Sequence, residues 1–218
     1  QFSASAAHEL RTPLAVMQTN LEVFARKKTP TIEEYQDIFE MIQNQTERLS
    51  HLSEVLLDMT GIQSVERSDS ISLAELTDEV CCDLASIADQ KKVELIQEEG
   101  DCTVTGSYLL LYRAVYNLVE NAIKYNHSGG KVTVKISQKK DLPAAHSKPT
   151  DYALVEVTDT GIGISPKFQE KIFDPFFRVD KSRSRAMGGA GLGLALVNEI
   201  ARQHGGQVKV LASSKKGS

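Results

Sequence analysis

The chain has 218 residues with a formal net charge of -4, 41% hydrophobic and 25% charged residues, a globular composition long enough for one large or two modest domains. The acidic balance argues against a nucleic-acid surface, and no apolar run approaches the roughly 18 residues of a membrane span. Three cysteines, two of them adjacent as Cys81 and Cys82, make neither a disulfide framework nor a metal-spaced cluster, so a reducing compartment is expected. The first residue is Gln1, and the expectation is an excised part of a longer protein.

Leu10, Leu14, Met17, Leu21 and Phe24 recur at helical spacing and place one apolar stripe on a first long helix. A break follows at Lys27–Thr31, where Thr31 and Glu34 fit a capping box. The second helix carries Ile38, Ile42, Gln45, Leu49, Leu52, Leu56 and Met59, a coiled-coil seam with Gln45 as a tolerated polar interruption. Two such helices form an antiparallel hairpin that alone leaves apolar surface wet, so pairing into a homodimeric four-helix bundle is expected. The polar stretch 62–70 reads as a linker. Beyond it the pattern predicts a helix over 73–91, strands near 93–96 and 102–105, a helix over 108–125, and strands near 131–137 and 152–158. A helix near 166–172, a Gly-rich stretch to 193, a helix to 204 and a strand at 207–211 complete the order. The segment 139–150 reads as an exposed insertion between paired strands. The fold class is α+β, a helical hairpin followed by a mixed α/β sandwich rather than a doubly wound sheet.

Three stretches carry chemistry. Ser107 caps a helix whose one side is apolar through Leu111, Val115, Leu118 and Ala122. On its other side Asn117, Asn121, Lys124 and Tyr125 project within about 100° of one another, with Glu120 at a different angle. Amide oxygens suit magnesium, an ammonium suits phosphate, and a ring stacks on a base. Next, Asp159 ends a strand and is followed by Gly161 and Gly163, a tight turn that brings a carboxylate close to a ligand. Asp159-Thr160-Gly161 also spells the aspartic-protease triplet, but no second such loop supplies the dyad. Finally, Arg178, Lys181, Arg183 and Arg185 precede Gly188, Gly189, Gly191 and Gly193, a cationic loop ending at a helix N-terminus, which suits a polyphosphate. The spacing fits neither G-x-G-x-x-G nor the P-loop.

In order, HELRTP, NLVENAIKY, DTGIG, FDPFFR and GGAGLGL resemble the five sequence boxes of a two-component sensor histidine kinase catalytic core, over nearly the whole chain. The resemblance implies a dimerisation and histidine phosphotransfer hairpin at 1–64 and an ATP-binding domain at 65–218. The latter is a sandwich of the histidine kinase, gyrase and chaperone ATPase type. It implies that His8 receives the γ-phosphoryl group of ATP, that Glu9 orients the His8 ring, and that Thr12 orients water for removing phosphate from a regulator. His8 lies about 160° from the Leu10 stripe and so faces outward. Pro13 removes an N–H and leaves the Glu9 carbonyl without its helical donor. A metalloprotease helix is excluded, since Thr12 stands where a second His is required.

By the same resemblance Asn117 and Asn121 bind Mg2+, Lys124 contacts phosphate, Tyr125 stacks on the base and Asp159 reads adenine, with Gly161 and Gly163 shaping that turn. Arg178 contacts the γ-phosphate, and Gly189, Gly191, Leu192 and Gly193 present backbone to the phosphates. Phosphotransfer to an aspartate of a response regulator receiver domain follows, with regulator phosphatase activity as a further property. The parent is expected to be a membrane-anchored bacterial sensor with this part cytoplasmic and touching neither membrane nor nucleic acid. Related ATPases of this fold carry a water-activating glutamate four residues before the metal asparagine; here that position is Asn117. A catalytically silent dimeric scaffold and an ATP hydrolase of the same fold are the alternatives. The final strand of the family lies beyond Ser218, and the sheet is expected to be one strand short. His51, His127, His146 and His204 read as surface or structural residues, and Cys81, Cys82 and Cys102 likewise as structural.

Overall fold

A computed structural model describes residues 2–140, 151–179, 191–214 and 217–218. Helix α1 (Phe2–Ala25) and helix α2 (Ile32–Gly61) form the antiparallel hairpin. Thr31 Oγ1 accepts from the Glu34 N–H at 3.3 Å while the Thr31 N–H donates to Glu34 Oε2 at 3.0 Å, a complete capping box that satisfies two N-terminal donors. The Phe24 and Tyr35 rings meet edge-on at 5.0 Å and close the hairpin tip. Pro13 lies inside α1 without ending it; one turn earlier the Thr12 hydroxyl donates to the His8 carbonyl at 3.1 Å.

The linker expected at 62–70 is shorter than the sequence suggests. A single 3-10 turn (Ile62–Ser64) follows α2, and β1 (Asp69–Ser72) already pairs antiparallel with β3 (Thr103–Gly106). Four polar-rich residues show no alternation long enough to detect, and β1 exists because β3 supplies its ladder. Ser72 then caps α3 (Leu73–Lys91) by accepting from the Glu75 N–H. The remaining sheet orders β2 (Glu94–Gln97), β4 (Lys131–Lys140) and β5 (Asp151–Asp159), with β2 and β4 parallel and β4 and β5 antiparallel.

Helices α3 and α4 (Tyr108–Lys124) cover one face of this sheet. Leu76, Val80 and Leu84 from α3, Val119 and Ile123 from α4, and Val132 and Val134 from β4 are fully buried there. A second core joins the hairpin to the sandwich: Leu52, Val55 and Ile62 pack with Leu110 and Ala114 of α4 and with Leu196, Val197 and Ile200 of α5 (Gly193–Gln203). His204 fastens the same seam, its Nε2 accepting from the Ser107 N–H at 3.1 Å and its Nδ1 bonding the Ile200 carbonyl oxygen at 2.8 Å. The His51 side chain and His146 lie outside the described residues.

Two expected elements differ. The segment 166–172 forms two 3-10 turns, Pro166–Phe168 and Lys171–Phe173, rather than one helix. Pro175 holds Asp174 extended at φ -74° and ψ 137°, which stops propagation in a segment too short to be stable alone. Residues 207–211 are not a strand. A ladder needs a neighbour, and among the described residues β5, the edge of its sheet, bonds the segment at Ser218 instead, the Asp159 N–H donating to the Ser218 carbonyl oxygen at 2.7 Å. Among the described residues no helix is long and apolar enough to cross a membrane.

Candidate active site

The asparagine-bearing face of α4 is built by its own backbone. Asn117 Nδ2 donates to the Arg113 carbonyl at 2.8 Å and Asn121 Nδ2 to the Asn117 carbonyl at 2.7 Å. Both amide nitrogens are thereby used in the helix, and the two Oδ1 atoms remain as acceptors one turn apart. Gly193, the first residue of α5, closes on Asn117: a β-carbon there would lie 2.4 Å from Asn117 Oδ1 and 3.7 Å from Asn121 Nδ2. Two neutral amide oxygens next to a helix N-terminus fit a hard divalent cation that takes its remaining ligands from phosphates and water. Among the described residues no group of three or more His, Cys, Asp or Glu offers an alternative metal site.

Lys124 ends α4 half-buried, and burial lowers its pKa; Glu120 opposes the shift, while Arg178 and Lys91 add to it. Lys91 of α3 caps the helix from below, its Nζ donating to the Ile123 carbonyl at 3.0 Å and to that of Lys124. Burial lowers the pKa of Lys91 too. Tyr125 follows, its carbonyl accepting from the Ile162 N–H at 3.2 Å.

Asp159 Oδ1 accepts from the Gly161 N–H at 2.7 Å. Burial pushes its carboxyl above the ordinary carboxylate range, against the backbone donors of Gly161 and Ser218. Gly161 passes so close to Tyr125 that a β-carbon would meet its carbonyl oxygen at 2.4 Å. Gly163, at φ +66°, lies against the Ser214 carbonyl. Buried Asn126 ties these pieces together: Nδ2 donates to the Lys131 carbonyl at 2.9 Å, and Oδ1 accepts from the His127 N–H at 3.0 Å and from the Thr160 hydroxyl at 3.2 Å. The sequence carries no signal for these roles of Asn126, Thr160 and Lys91, because they exist only once α3, α4, β4 and β5 meet.

Arg178 follows Phe176 and Phe177, where Phe176 adopts φ 65° and its N–H donates to the Gly191 carbonyl at 2.7 Å. Gly191 has φ +73°, and Leu192 is buried at the start of α5. Gly189, with the cationic residues 181–185, lies outside the described residues.

On the hairpin, His8 is exposed and lines a groove of about 460 Å³ with Arg11, Thr12, Ala15, Val16, Thr19 and Asn20. Glu9 meets two arginines here. Its Oε2 lies 3.6 Å from Arg48 Nη2 and 4.0 Å from Arg178 Nη1, and among the described residues no ion pair joins it to His8. The structure thus groups Asn117, Asn121, Lys124 and Gly193 at one seam and Tyr125, Asp159 and Gly161 beside it. Arg178 bridges from this lobe to the helix that carries His8.

The family model described as the histidine kinase-, DNA gyrase B- and HSP90-like ATPase matches residues 106–218. The chain belongs to this family. The His Kinase A phospho-acceptor domain matches residues 1–64, so the chain is a two-component histidine kinase catalytic core, and the expected fold class holds. The chain is 34% identical over 223 residues to the sensor histidine kinase RppB of Synechocystis sp., covering 100% of this chain and 47% of that protein. To the sensor histidine kinase WalK of Bacillus subtilis it is 31% identical over 222 residues, covering 100% of this chain and 35% of that protein. The chain therefore spans between about a third and about half of these relatives. In fold it is similar to the histidine kinase ThkA, solved in complex with the response regulator protein TrrA, with TM-score 0.71, 21% identity, and coverage of 99% of this chain and 58% of that one.

Proposed function

We propose that this kinase core binds ATP with Mg2+ between α4, the Asp159 turn and the start of α5, and transfers the γ-phosphoryl group to His8. The observation that carries the reading is the pair of asparagine amides on one face of α4, with Asn117 Oδ1 against Gly193 and Asn117 standing where a hydrolase has its water-activating glutamate. With no carboxylate there to activate water, the nucleophile has to come from outside the lobe, and exposed His8 is available.

Asn117 and Asn121 would hold the metal, which when bound neutralises charge on the phosphate oxygens. Asp159 accepts the exocyclic amine of adenine, Tyr125 stacks on the base, and Gly161 and Gly163 let the turn approach it. Lys124 and Arg178 contact phosphate oxygens, and the backbone at Gly189, Gly191, Leu192 and Gly193 adds donors at the helix start. A ring nitrogen of neutral His8 attacks the γ-phosphorus, the bond to the bridging oxygen breaks, and ADP leaves. The other ring nitrogen keeps its proton, and Glu9, once turned from the arginines, stabilises the resulting cation.

The phosphoryl group then passes to an aspartate of a response regulator receiver domain, with Thr12 orienting water when phosphate is removed from the regulator. Leu14 and Leu21 remain 52% and 44% exposed on the hairpin stripe, which supports a homodimeric four-helix bundle. The boundary between the two domains falls at 64–65. The parent protein is a membrane-anchored sensor with this part in the cytoplasm, in keeping with relatives named sensor histidine kinases. Incubation with γ-labelled ATP and Mg2+ tests the reading: acid-labile label on the protein, absent from His8→Ala, is expected. Free phosphate without labelled protein would instead indicate a hydrolase, and neither signal a scaffold.

A further inference from the structure

One oxygen of Glu9 sits between two guanidinium groups. Arg48 of α2 and Arg178 of the ATP lobe approach the same Oε2 atom, at 3.6 Å and 4.0 Å. The Arg48 and Arg178 side chains are only 12% and 7% exposed and that of Glu9 25%, so water and salt screen these charges weakly. Two cations sharing one anion repel each other, and each weakens the other's hold on it. Glu9 and Arg48 belong to one rigid hairpin, whereas Arg178 belongs to the lobe that must carry the nucleotide to His8.

We infer that Arg48 is a positioning residue that competes with Arg178 for Glu9 and so sets how readily Arg178 passes to the nucleotide. The inference rests on the reading of Arg178 as a phosphate contact. In the resting arrangement Glu9 draws Arg178 onto the hairpin, where it cannot serve a phosphate. As the γ-phosphate captures Arg178, Arg48 remains as the counter-charge of Glu9 and keeps a half-buried carboxylate from being left unpaired. Removing Arg48 therefore leaves Arg178 without a competing guanidinium at Glu9 Oε2, and the nucleotide has to break a stronger contact. Arg48 thus affects nucleotide affinity although it sits on α2, outside the nucleotide pocket.

The test measures affinity for a nonhydrolysable ATP analogue with Mg2+, by calorimetry on the full chain, with thermal unfolding as the check on folding. Arg48→Ala is expected to weaken binding about fivefold and Glu9→Gln to tighten it about fivefold, the scale of a modest coupling between sites. Arg48→Lys restores most of the affinity. In the double variant Arg48→Ala with Glu9→Gln, the loss caused by Arg48→Ala disappears, because its target is gone. A loss that persists in the double variant, or unchanged binding in both single variants, overturns the inference. Should Arg48→Ala fail to fold, unchanged or weaker binding by Glu9→Gln overturns it alone. Arg178→Ala separates the two readings: unchanged affinity there removes the phosphate contact itself. Weakened binding in Arg178→Ala with inert Arg48 and Glu9 variants removes only the role of Arg48.

Discussion

Gly193 starts α5 against the side chain of Asn117, at a separation where a β-carbon would lie 2.4 Å from Asn117 Oδ1. The Asn117 amide cannot retreat without giving up its hydrogen bond to the Arg113 carbonyl. Gly193→Ala is therefore expected to displace the asparagine oxygen from the seam and weaken nucleotide binding at least about tenfold. Overpacking of this kind costs about 1–3 kcal/mol of stability. Calorimetric titration with an ATP analogue beside thermal unfolding checks both, and an unaltered affinity would contradict the placement of this seam at the phosphates.

The Asp159 carboxyl is held above its ordinary pKa, chiefly by burial. The folded chain therefore binds this proton more tightly than the unfolded chain. The stability this contributes is full below the unfolded pKa and is lost as pH rises through the folded pKa. Asp159→Asn is expected to unfold at a higher temperature than the parent at pH 7, since a neutral amide removes the cost of the buried charge. The same variant should bind the ATP analogue about 10- to 100-fold more weakly, as a charged acceptor for the base is lost. Nucleotide binding by the unaltered chain should also weaken as pH falls toward the raised pKa. Equal affinity in Asp159→Asn would remove Asp159 from the base site.

Asn126 holds the ends of α4 and β5 together through Lys131, His127 and Thr160. Asn126→Ala removes the acceptor of the His127 N–H, while the Lys131 carbonyl keeps the Thr160 N–H and the Thr160 hydroxyl keeps the Lys131 N–H; the lost bond costs about 1–3 kcal/mol where water cannot replace it. The expected result is a lower unfolding temperature and a raised KM for ATP in autophosphorylation, with kcat changed much less. A fall in kcat alone would indicate a role in the transfer step instead.

Much of this was legible in the sequence, for reasons that differ by element. The hairpin announces itself because Leu10 to Phe24 and Ile38 to Met59 repeat with helical period, and Thr31 with Glu34 marks the boundary between the helices. Asn117, Asn121 and Lys124 fall on one face because helix geometry alone places them there. The β1 strand was not legible, since Asp69–Ser72 is ordered by β3 some thirty residues later. The strand expected at 207–211 failed for the converse reason: its alternation is present, but among the described residues it pairs with no strand. Nor could spacing reveal that Glu9 lies against Arg48 and Arg178, because that contact depends on how the lobe sits on the hairpin.

The capping box at the head of α2 can be tested apart from the nucleotide. Thr31→Ala removes the acceptor for the Glu34 N–H and is expected to destabilise the hairpin by about 1 kcal/mol. Affinity for the ATP analogue should stay unchanged, since Thr31 lies at the far end of the hairpin from the second core around Leu52. A change in affinity would mean that the hairpin tip communicates with the lobe.

Whether phosphorus moves from ATP to the imidazole of His8 can be read directly. Tandem mass spectrometry at neutral to basic pH, on the full chain after brief incubation with ATP and Mg2+, locates the modification directly. One phosphoryl group is expected on the peptide carrying His8, assigned to the ring and absent from His8→Gln. Phosphate on any other residue, or ATP turnover with His8 unmodified, would contradict it.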